Sequence, residues 1–313
     1  MNQSMQKQIE QAIEESVNWK SKNTASMDIT RVEGTLLPSK FKTDLFSQLQ
    51  SYEQSIENLS TGFSCGFEIE FFLNPNKLKE LEEDIADILP DYQMLLIFLD
   101  DVPKTNHRNF YLIKETTGQP TKGKQSFEIV SPIIDYKSLP YFINAFFTLL
   151  NKHGATDNDS IGFHLHVSTQ TASKLSPISL LFFLDQQGVL NTKERQYTRD
   201  IIHQFFTYSA HDWRWIFEEV TRKCYNVNFL HYNQNNHIEL RSMGGAGYLK
   251  KNKEILLNCF QCLLAYENAL NTPAEKIAQG ILENYALDKQ VIQTKSLSYQ
   301  ELKNSDDNDI WFV

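Results

Sequence analysis

The stretch "IGFHLHVS", residues Ile161 to Ser168, alternates apolar and polar side chains. Alternation of this kind is typical of a β-strand, because successive side chains point to opposite faces of a sheet. His164, His166 and Ser168 therefore share one face, and the apolar residues between them share the other. Two interpretations stay open for the histidine pair: a half-buried strand with one wet face, or a site that binds a metal ion or a phosphate.

Three other strand-like stretches also carry ionisable side chains at alternate positions. Any one such strand alone is most often the wet face of an antiparallel sheet. Together they carry almost only Glu, His and Arg, which are side chains that bind divalent cations and anions. If the strands are neighbours, their charges need compensation, and divalent cations would supply it. The stretches are "GFEIEFF" with Glu68 and Glu70, "SFEIVSPI" with Glu128, and "HIELR" with Glu239 and Arg241.

The order of the predicted elements indicates the fold class. Strands rich in aromatic and β-branched residues begin at Phe63, and strands and helices then follow each other without strict alternation. This order predicts an α+β fold with a mostly antiparallel sheet and helices packed on one face. We expect residues 1–60 to form an N-terminal helical extension, which could contact a protein partner. Residues 61–313 are expected to form the main domain, which ends in helices.

Charge and hydropathy exclude several classes of protein. The formal net charge of -9 argues against a nucleic-acid partner, since polyanion affinity comes from clustered Lys and Arg. No apolar run approaches the ~20 residues that cross a bilayer, and the first residues lack the apolar core of a signal peptide. We therefore expect a cytoplasmic protein without a membrane partner, and delivery into another cell without a cleavable signal stays open. The "CFQC" pair, Cys259 and Cys262, lies within a helical pattern, which favours core packing over a zinc or redox role.

Four motifs, in order and in spacing, give the chain a resemblance to a known family. They are "GFEIEFF", "FEIVSPII" followed by a helix and "HGA", "GFHLHVS", and "YNVNFLHYNQNNHIELRS". Over about residues 62–250 the sequence resembles the amidoligases, carboxylate–amine ligases with the glutamine synthetase fold. The resemblance implies a catalytic domain with a curved antiparallel sheet. It also implies an ATP-dependent ligase that makes amide bonds through an acyl phosphate, with two Mg²⁺ or Mn²⁺ ions held between the nucleotide phosphates and protein carboxylates.

The same resemblance implies roles for individual residues. Glu70, Glu128 and Arg241 are the expected catalytic residues, and Arg241 would contact the substrate carboxylate or the transferring phosphate. Glu115 is a further candidate for the second metal site. Many members of the family have a "DGS" turn where this chain has "ETTG". After the E-x-R strand they have an acidic group with "GT", where this chain has "MGGAG". The implied ligands are Glu68, His164 and Glu239 for one metal, Glu70 and Glu128 for the other, and His166 and Ser168 for the ATP phosphates.

Three further arginines could bind phosphates or a substrate carboxylate, because a guanidinium group binds these anions through two parallel hydrogen bonds. For each of them a surface salt bridge is an equal alternative. These residues are Arg108, Arg195 and Arg222. We assign Arg108 and Arg222 to cofactor binding.

Three functions stay open on the sequence alone. The first is the ATP-dependent ligase, acting on an amino-acid or peptide carboxylate and an amine. The second is a metallohydrolase, in which the Glu and His side chains activate a water molecule. The third is a non-catalytic protein that keeps the fold and binds a partner.

Overall fold

The structure, a computed structural model, describes residues 3–19, 59, 61–89, 93–98, 109–115, 118–169, 175–190, 226–229, 232 and 236–284. Within this part of the chain one sheet contains eight strands, in the spatial order β2-β3-β4-β1-β6-β8-β7, with β5 beside β1. The strands are β1 (Phe63–Leu73), β2 (Gln93–Phe98), β3 (Asn109–Glu115), β4 (Gln125–Val130), β5 (Ile134–Asp135), β6 (Gly162–Thr169), β7 (Val227–Asn228) and β8 (Ile238–Gly244).

Most of the strand pairs are antiparallel. The exception among the described strands is the pair β2 and β3, which is parallel. The sheet is open, because its strand order begins at β2 and ends at β7. The predicted α+β class with a mostly antiparallel sheet is therefore confirmed.

Helices cover one face of the sheet. The described helices are α1 (Gln3–Ser16), α2 (Leu78–Ile88), α3 (Leu139–Lys152), α4 (Pro177–Gln186), α5 (Asn252–Asn271) and α6 (Ala274–Asn284). At the centre of the interface the ring of Phe67 lies 5.9 Å from that of Phe146 on α3 and 5.9 Å from that of Phe163 on β6. Because side chains alternate along a strand, this packing turns Glu68 and Glu70 to the opposite face.

The N-terminal helix α1 packs against the other helices, and it contacts α6 and α4. Its Ile9 and Ile13 are buried, and the Ser16 hydroxyl lies 2.7 Å from that of Ser176, just before α4. A helix is thus present near the N-terminal end of the described chain and is docked on the main body. Residues 20–58 lie outside the described residues, so the boundary at residue 60 stays a prediction.

Local backbone conformation and hydrogen bonds define the two ends of α3. Gly154 adopts a left-handed φ of 72° directly after the helix, as a glycine that ends a helix does. Ser138 occupies the N-cap position of α3, but its side chain makes no capping hydrogen bond. The Asp135 side chain instead accepts from the backbone N–H of Lys137 and starts a short 3-10 turn before α3.

The cysteines of the "CFQC" pair lie in the core, as the sequence indicates. Cys259 and Cys262 on α5 are buried and free, and burial raises the pKa of both thiols.

No helix in the described ranges is both long enough and apolar enough to span a bilayer.

Candidate metal and anion site

The face of the sheet opposite α3 brings together the ionisable residues of four strands. Strand register pairs Glu68 of β1 with His164 of β6, and His166 of β6 with Glu239 of β8. His164 Nδ1 lies 2.7 Å from Glu68 Oε2 and 3.5 Å from Glu239 Oε1. One donor atom from each of Glu68, His164 and Glu239 lies within 4.8 Å of the others, which is close enough to share a metal ion.

A second group of donors lies beside the first and shares His164 with it. Glu70 of β1 is the direct cross-strand partner of Glu128 of β4. His164 Nε2 lies 3.8 Å from Glu70 Oε2, and the donor atoms of Glu70, Glu128 and His164 lie within 4.8 Å of one another. The N–H of Gly162 donates to Glu70 Oε2 at 2.6 Å and so orients this carboxylate. The imidazole of His164 therefore separates two neighbouring groups of carboxylates.

The electrostatics differ between the two groups. Burial, followed by the negative charges of Glu68, Glu115 and Glu70, raises the pKa of Glu128 well above its usual value. Burial alone would also raise the pKa of Glu68, but His166 and His164 outweigh it and hold that pKa well below the usual range. The carboxylates of the first group thus have His166 and Arg241 beside them, whereas Glu128 faces mainly negative charge.

Glu239 is held from both sides. Asn228 Nδ2 donates to Glu239 Oε2 at 3.1 Å, and the Arg241 guanidinium donates to Glu239 Oε1. Burial alone would raise the pKa of Glu239, but the charges on His166, Arg241 and His164 outweigh it and lower that pKa. The carboxylate is therefore ionised and fixed in orientation.

Arg241 reaches this position through a β-bulge. Between the pairs Leu165–Leu240 and Phe163–Met243 the register of β6 and β8 shifts, so β8 has one extra residue there. A bulge changes the direction in which its side chains point, and such irregularities are common beside functional sites. Burial alone would lower the pKa of Arg241, but the carboxylates of Glu239, Glu68 and Glu70 raise it.

His166 and Ser168 lie farther along β6 on the same face. His166 Nε2 is 3.1 Å from Glu68 Oε1, and His166 Nδ1 is 3.3 Å from His237 Nε2. Ser168 pairs with Ser64 of β1, beyond His166, and belongs to neither donor group.

The structure thus brings seven of the expected site residues into one cluster. Glu115 lies on the same face, one strand beyond Glu128, and is close enough to influence the pKa of Glu128, but it is in neither donor group. Arg108, Arg195 and Arg222 lie outside the described residues. The seven residues that the structure brings into one cluster are Glu68, Glu70, Glu128, His164, His166, Glu239 and Arg241.

Two residues of the site were not expected from the sequence. His237 has the same strand parity as Glu239 and Arg241, so the alternation of the "HIELR" strand could have indicated it. Asn228 gives no comparable signal, because only the pairing of β7 with β8 brings it opposite Glu239.

The chemistry of the donors fits hard divalent cations. Glu70, Glu128 and Glu239 are all buried, and clustered buried carboxylates need positive partners. Carboxylate oxygens are the protein ligands that Mg²⁺ prefers, and an imidazole among them also suits Mn²⁺.

The profile of one protein family, described as "Putative amidoligase enzyme", matches residues 61–235, which is more than half of the chain. The protein therefore belongs to this amidoligase family. Two solved structures are similar to the chain at low sequence identity. One, "Crystal structure of novel glutamine synthase homolog", is 11% identical, with a TM-score of 0.36 over 83% of this chain and 74% of the other. The other, "GmaS/ADP complex-Conformation 1", is 12% identical, with a TM-score of 0.30 over 84% of this chain and 75% of the other. A search of curated proteins finds no match.

Proposed function

We propose that the protein is an ATP-dependent ligase that joins a carboxylate to an amine through an acyl phosphate, with an amino acid or a peptide as substrate. One observation carries the proposal: two overlapping groups of metal donors lie on one sheet face, next to Arg241 and His166. Membership of the amidoligase family supports a ligase chemistry.

The proposed reaction has two steps. In the first, an oxygen of the substrate carboxylate bonds to the γ-phosphorus of ATP, the bond from that phosphorus to the bridging oxygen breaks, and ADP leaves. In the second, the amine nitrogen attacks the carbonyl carbon, the bond from that carbon to the phosphate oxygen breaks, and phosphate leaves as the amine loses a proton. The product is an amide. Phosphorylation is needed because an ionised carboxylate repels nucleophiles and has no good leaving group.

The side chains of the site suit these steps. We assign Glu68, His164 and Glu239 to one cation and Glu70 with Glu128 to a second. Bound there, Mg²⁺ or Mn²⁺ would neutralise the charge that spreads over the phosphoryl oxygens during transfer. The assignment follows the geometry of His164, whose Nδ1 faces Glu68 and Glu239.

The remaining residues would bind the anions. His166 and Ser168 lie on the same face beyond the carboxylates and are assigned to the ATP phosphates. The guanidinium of Arg241 lies beside the first donor group, where it can hold the substrate carboxylate or the transferring phosphate by paired hydrogen bonds. Arg108 and Arg222 are assigned to nucleotide binding from the sequence alone.

A coupled assay of ADP release tests the proposal. Purified protein is screened with Mg²⁺ or Mn²⁺ over amino acids, peptides and polyamines, and the products are identified by mass spectrometry. We expect ADP release that needs both a carboxylate and an amine, together with the loss of water in the joined product. Undiminished turnover by Glu70→Ala or Glu239→Ala would refute the assignment. Cleavage without ATP by protein that contains zinc would instead indicate a metallohydrolase, and absence of nucleotide and metal binding in calorimetry would indicate a non-catalytic protein.

A further inference from the structure

The hydroxyl of Ser126 is a buried polar group that the scheme above does not use. Ser126 on β4 is 3% exposed, and its Oγ has no hydrogen-bond partner within the described part of the chain. Burying a hydroxyl without a hydrogen bond is unfavourable, and nearly all buried polar groups of folded proteins are paired. An orphaned hydroxyl at the edge of a polar site therefore indicates that a bound molecule supplies the partner.

Strand register places Ser126 beside carboxylates. Its neighbours on β4, Phe127 and Ile129, are buried in the main core, so alternation puts Ser126 on the face that carries Glu128. Ser126 is also the direct cross-strand partner of Glu115 on β3. Directly paired side chains have Cβ atoms about 5 Å apart, and same-face neighbours along a strand are about 7 Å apart. The hydroxyl of Ser126 thus has one carboxylate beside it on β3 and another one step along β4.

These acceptors fit a group that is positively charged and only donates hydrogen bonds. Carboxylate oxygens accept hydrogen bonds, a serine hydroxyl can accept them, and an ammonium group has three N–H donors and no acceptor. A nitrogen that bonds to two oxygens at about 2.8 Å each fits between paired side chains of this spacing. A metal ion fits less well, because Glu115 belongs to neither group of donors that is close enough to share one.

The end of the sheet next to Ser126 is closed by packing. Phe72, the partner of Ser126 on β1, is 1% exposed. Gly118 has a left-handed φ of 87°, and a Cβ there would lie 3.0 Å from Phe72 Cε1 and 3.1 Å from Ile161 Cγ2. The backbone after β3 is thus packed tightly on the ends of the neighbouring strands. Because this packing excludes water, the attraction between a bound cation and the carboxylates is stronger than at an open surface.

We propose that the amine co-substrate binds here as a primary ammonium ion, with Glu115 and Ser126 as its acceptors and Glu128 beside it. The proposal rests on the proposed function, from which it takes the amine, and it names the form in which that substrate is recognised. Ser126 is one alternate position from Glu128 on β4, so the amine is held next to the donor groups around which phosphoryl transfer is proposed to occur. Holding the two reactants side by side in this way lowers the entropic part of the barrier.

Saturation-transfer difference NMR of methylammonium, with the full chain and Mg²⁺, tests the proposal. Methylammonium is a small primary ammonium ion, and tetramethylammonium carries the same charge without any N–H. We expect wild type to bind methylammonium and to give no signal with tetramethylammonium. Ser126→Ala and Glu115→Gln should each weaken methylammonium binding about tenfold, as the loss of one charge-assisted hydrogen bond does. Ser126→Thr keeps the hydroxyl and should stay within about threefold of wild type.

Two control variants and a stability measurement separate ligand binding from a structural role. Ser16→Ala removes a buried hydroxyl of α1 that already donates to the carbonyl of Ile13, and Glu275→Gln removes an exposed carboxylate of α6. Both controls should bind methylammonium as wild type does. Without amine, Ser126→Ala should have a urea midpoint equal to or above that of wild type, because no described residue loses a hydrogen bond. A lower midpoint would show that the hydroxyl makes a structural contact and would refute the proposal.

Kinetic constants connect the ammonium site with the reaction. For the amine that the ADP-release assay identifies, Ser126→Ala and Glu115→Gln should each raise KM about tenfold. The KM values for ATP and for the carboxylate should stay within about twofold of wild type. Equal increases in all three KM values would refute a site that is specific for the amine.

The outcomes distinguish this proposal from the proposed function. Wild type that releases ADP with an amine, but gives no signal with methylammonium or equal signals with both cations, would refute the ammonium site and leave the ligase intact. Unchanged methylammonium binding in Ser126→Ala and Glu115→Gln would also refute the site. Wild type that binds methylammonium but releases no ADP with any carboxylate and amine would refute the ligase, and with it the co-substrate role of the bound ammonium.

Discussion

Replacing Glu128 by glutamine should stabilise the protein when divalent cations are removed by a chelator. Glu128 is the direct cross-strand partner of Glu70, and cross-strand Cβ atoms lie about 5 Å apart. Burial and the charges of Glu68, Glu115 and Glu70 all oppose ionisation of Glu128, and one pair of unit charges about 5 Å apart repels by about 3 kcal/mol at an effective dielectric constant of 20. The carboxylates can turn apart and water screens them, so we expect Glu128→Gln to gain about 1–3 kcal/mol in the free energy of unfolding at pH 8.

The sign of the pH dependence follows from the raised pKa of Glu128. Between the pKa of the unfolded chain and the higher pKa of the folded protein, the folded state binds more protons than the unfolded state. The contribution of Glu128 to stability is therefore fully present below the unfolded pKa and is lost as pH rises through the folded pKa. The stability gap between Glu128→Gln and wild type should open between pH 5 and pH 8.

Urea unfolding in EDTA at pH 5 and pH 8 measures this gap, and Glu275→Gln on the exposed surface of α6 is the control. With Mn²⁺ at a hundred times its dissociation constant, wild type should regain about 2.7 kcal/mol by mass action, and Glu128→Gln should regain much less. The reasoning is refuted if the variant is the less stable protein in EDTA at pH 8. A gap of equal size at both pH values would refute the pKa argument in particular.

Three further changes test other parts of the structure. Arg241→Lys should lower the rate of ADP release at least a hundredfold, which corresponds to about 3 kcal/mol in the activation free energy. The affinity for Mn²⁺, measured by electron paramagnetic resonance, should stay within about twofold of wild type. An unchanged rate would contradict the anion-binding role. Phe67→Ala, at the centre of the aromatic interface, should lower the free energy of unfolding by about 3–5 kcal/mol in urea titrations, and a loss below about 1 kcal/mol would contradict the packing. Gly154→Ala forces a left-handed φ on a residue with a Cβ and should lower the free energy of unfolding by about 1 kcal/mol in urea titrations, and Gly154→Asn should lower it less. Equal losses in the two variants would show that the φ angle is not the cause.

The faces of the strands could be predicted from the sequence, because the alternation of side chains is a local property. The pattern of "GFEIEFF" assigns Glu68 and Glu70 to one face, and the packing of Phe67 under that strand agrees with it. The same rule assigns His164 and His166 to one face. The face on which a side chain lies depends only on its position along its own strand, so it can be predicted from the sequence without knowing the neighbouring strands.

The register between strands could not be predicted, because it depends on residues that are distant in the chain. That Glu68 faces His164, and that Glu70 faces Glu128, follows from how β1 pairs with β6 and β4. A shift of one residue would turn a whole strand over and bury its charges among aromatic rings. The bulge at Arg241 and the parallel pairing of β2 with β3 are likewise absent from any local pattern.

The strands that hold the site explain how it can keep several carboxylates close together. Strands β1 and β6 lie inside the sheet, with a partner on each side, so their backbones cannot move apart to relieve repulsion. The aromatic side chains of the opposite face hold both strands against α3, with Phe67 stacked on Phe163. Repulsion between carboxylates in a rigid frame favours cation binding, because the bound cation removes the repulsion and the backbone does not have to reorganise. The buried core therefore contributes to the chemistry of the opposite face, and a substitution such as Phe67→Ala should weaken Mn²⁺ binding in the protein that remains folded.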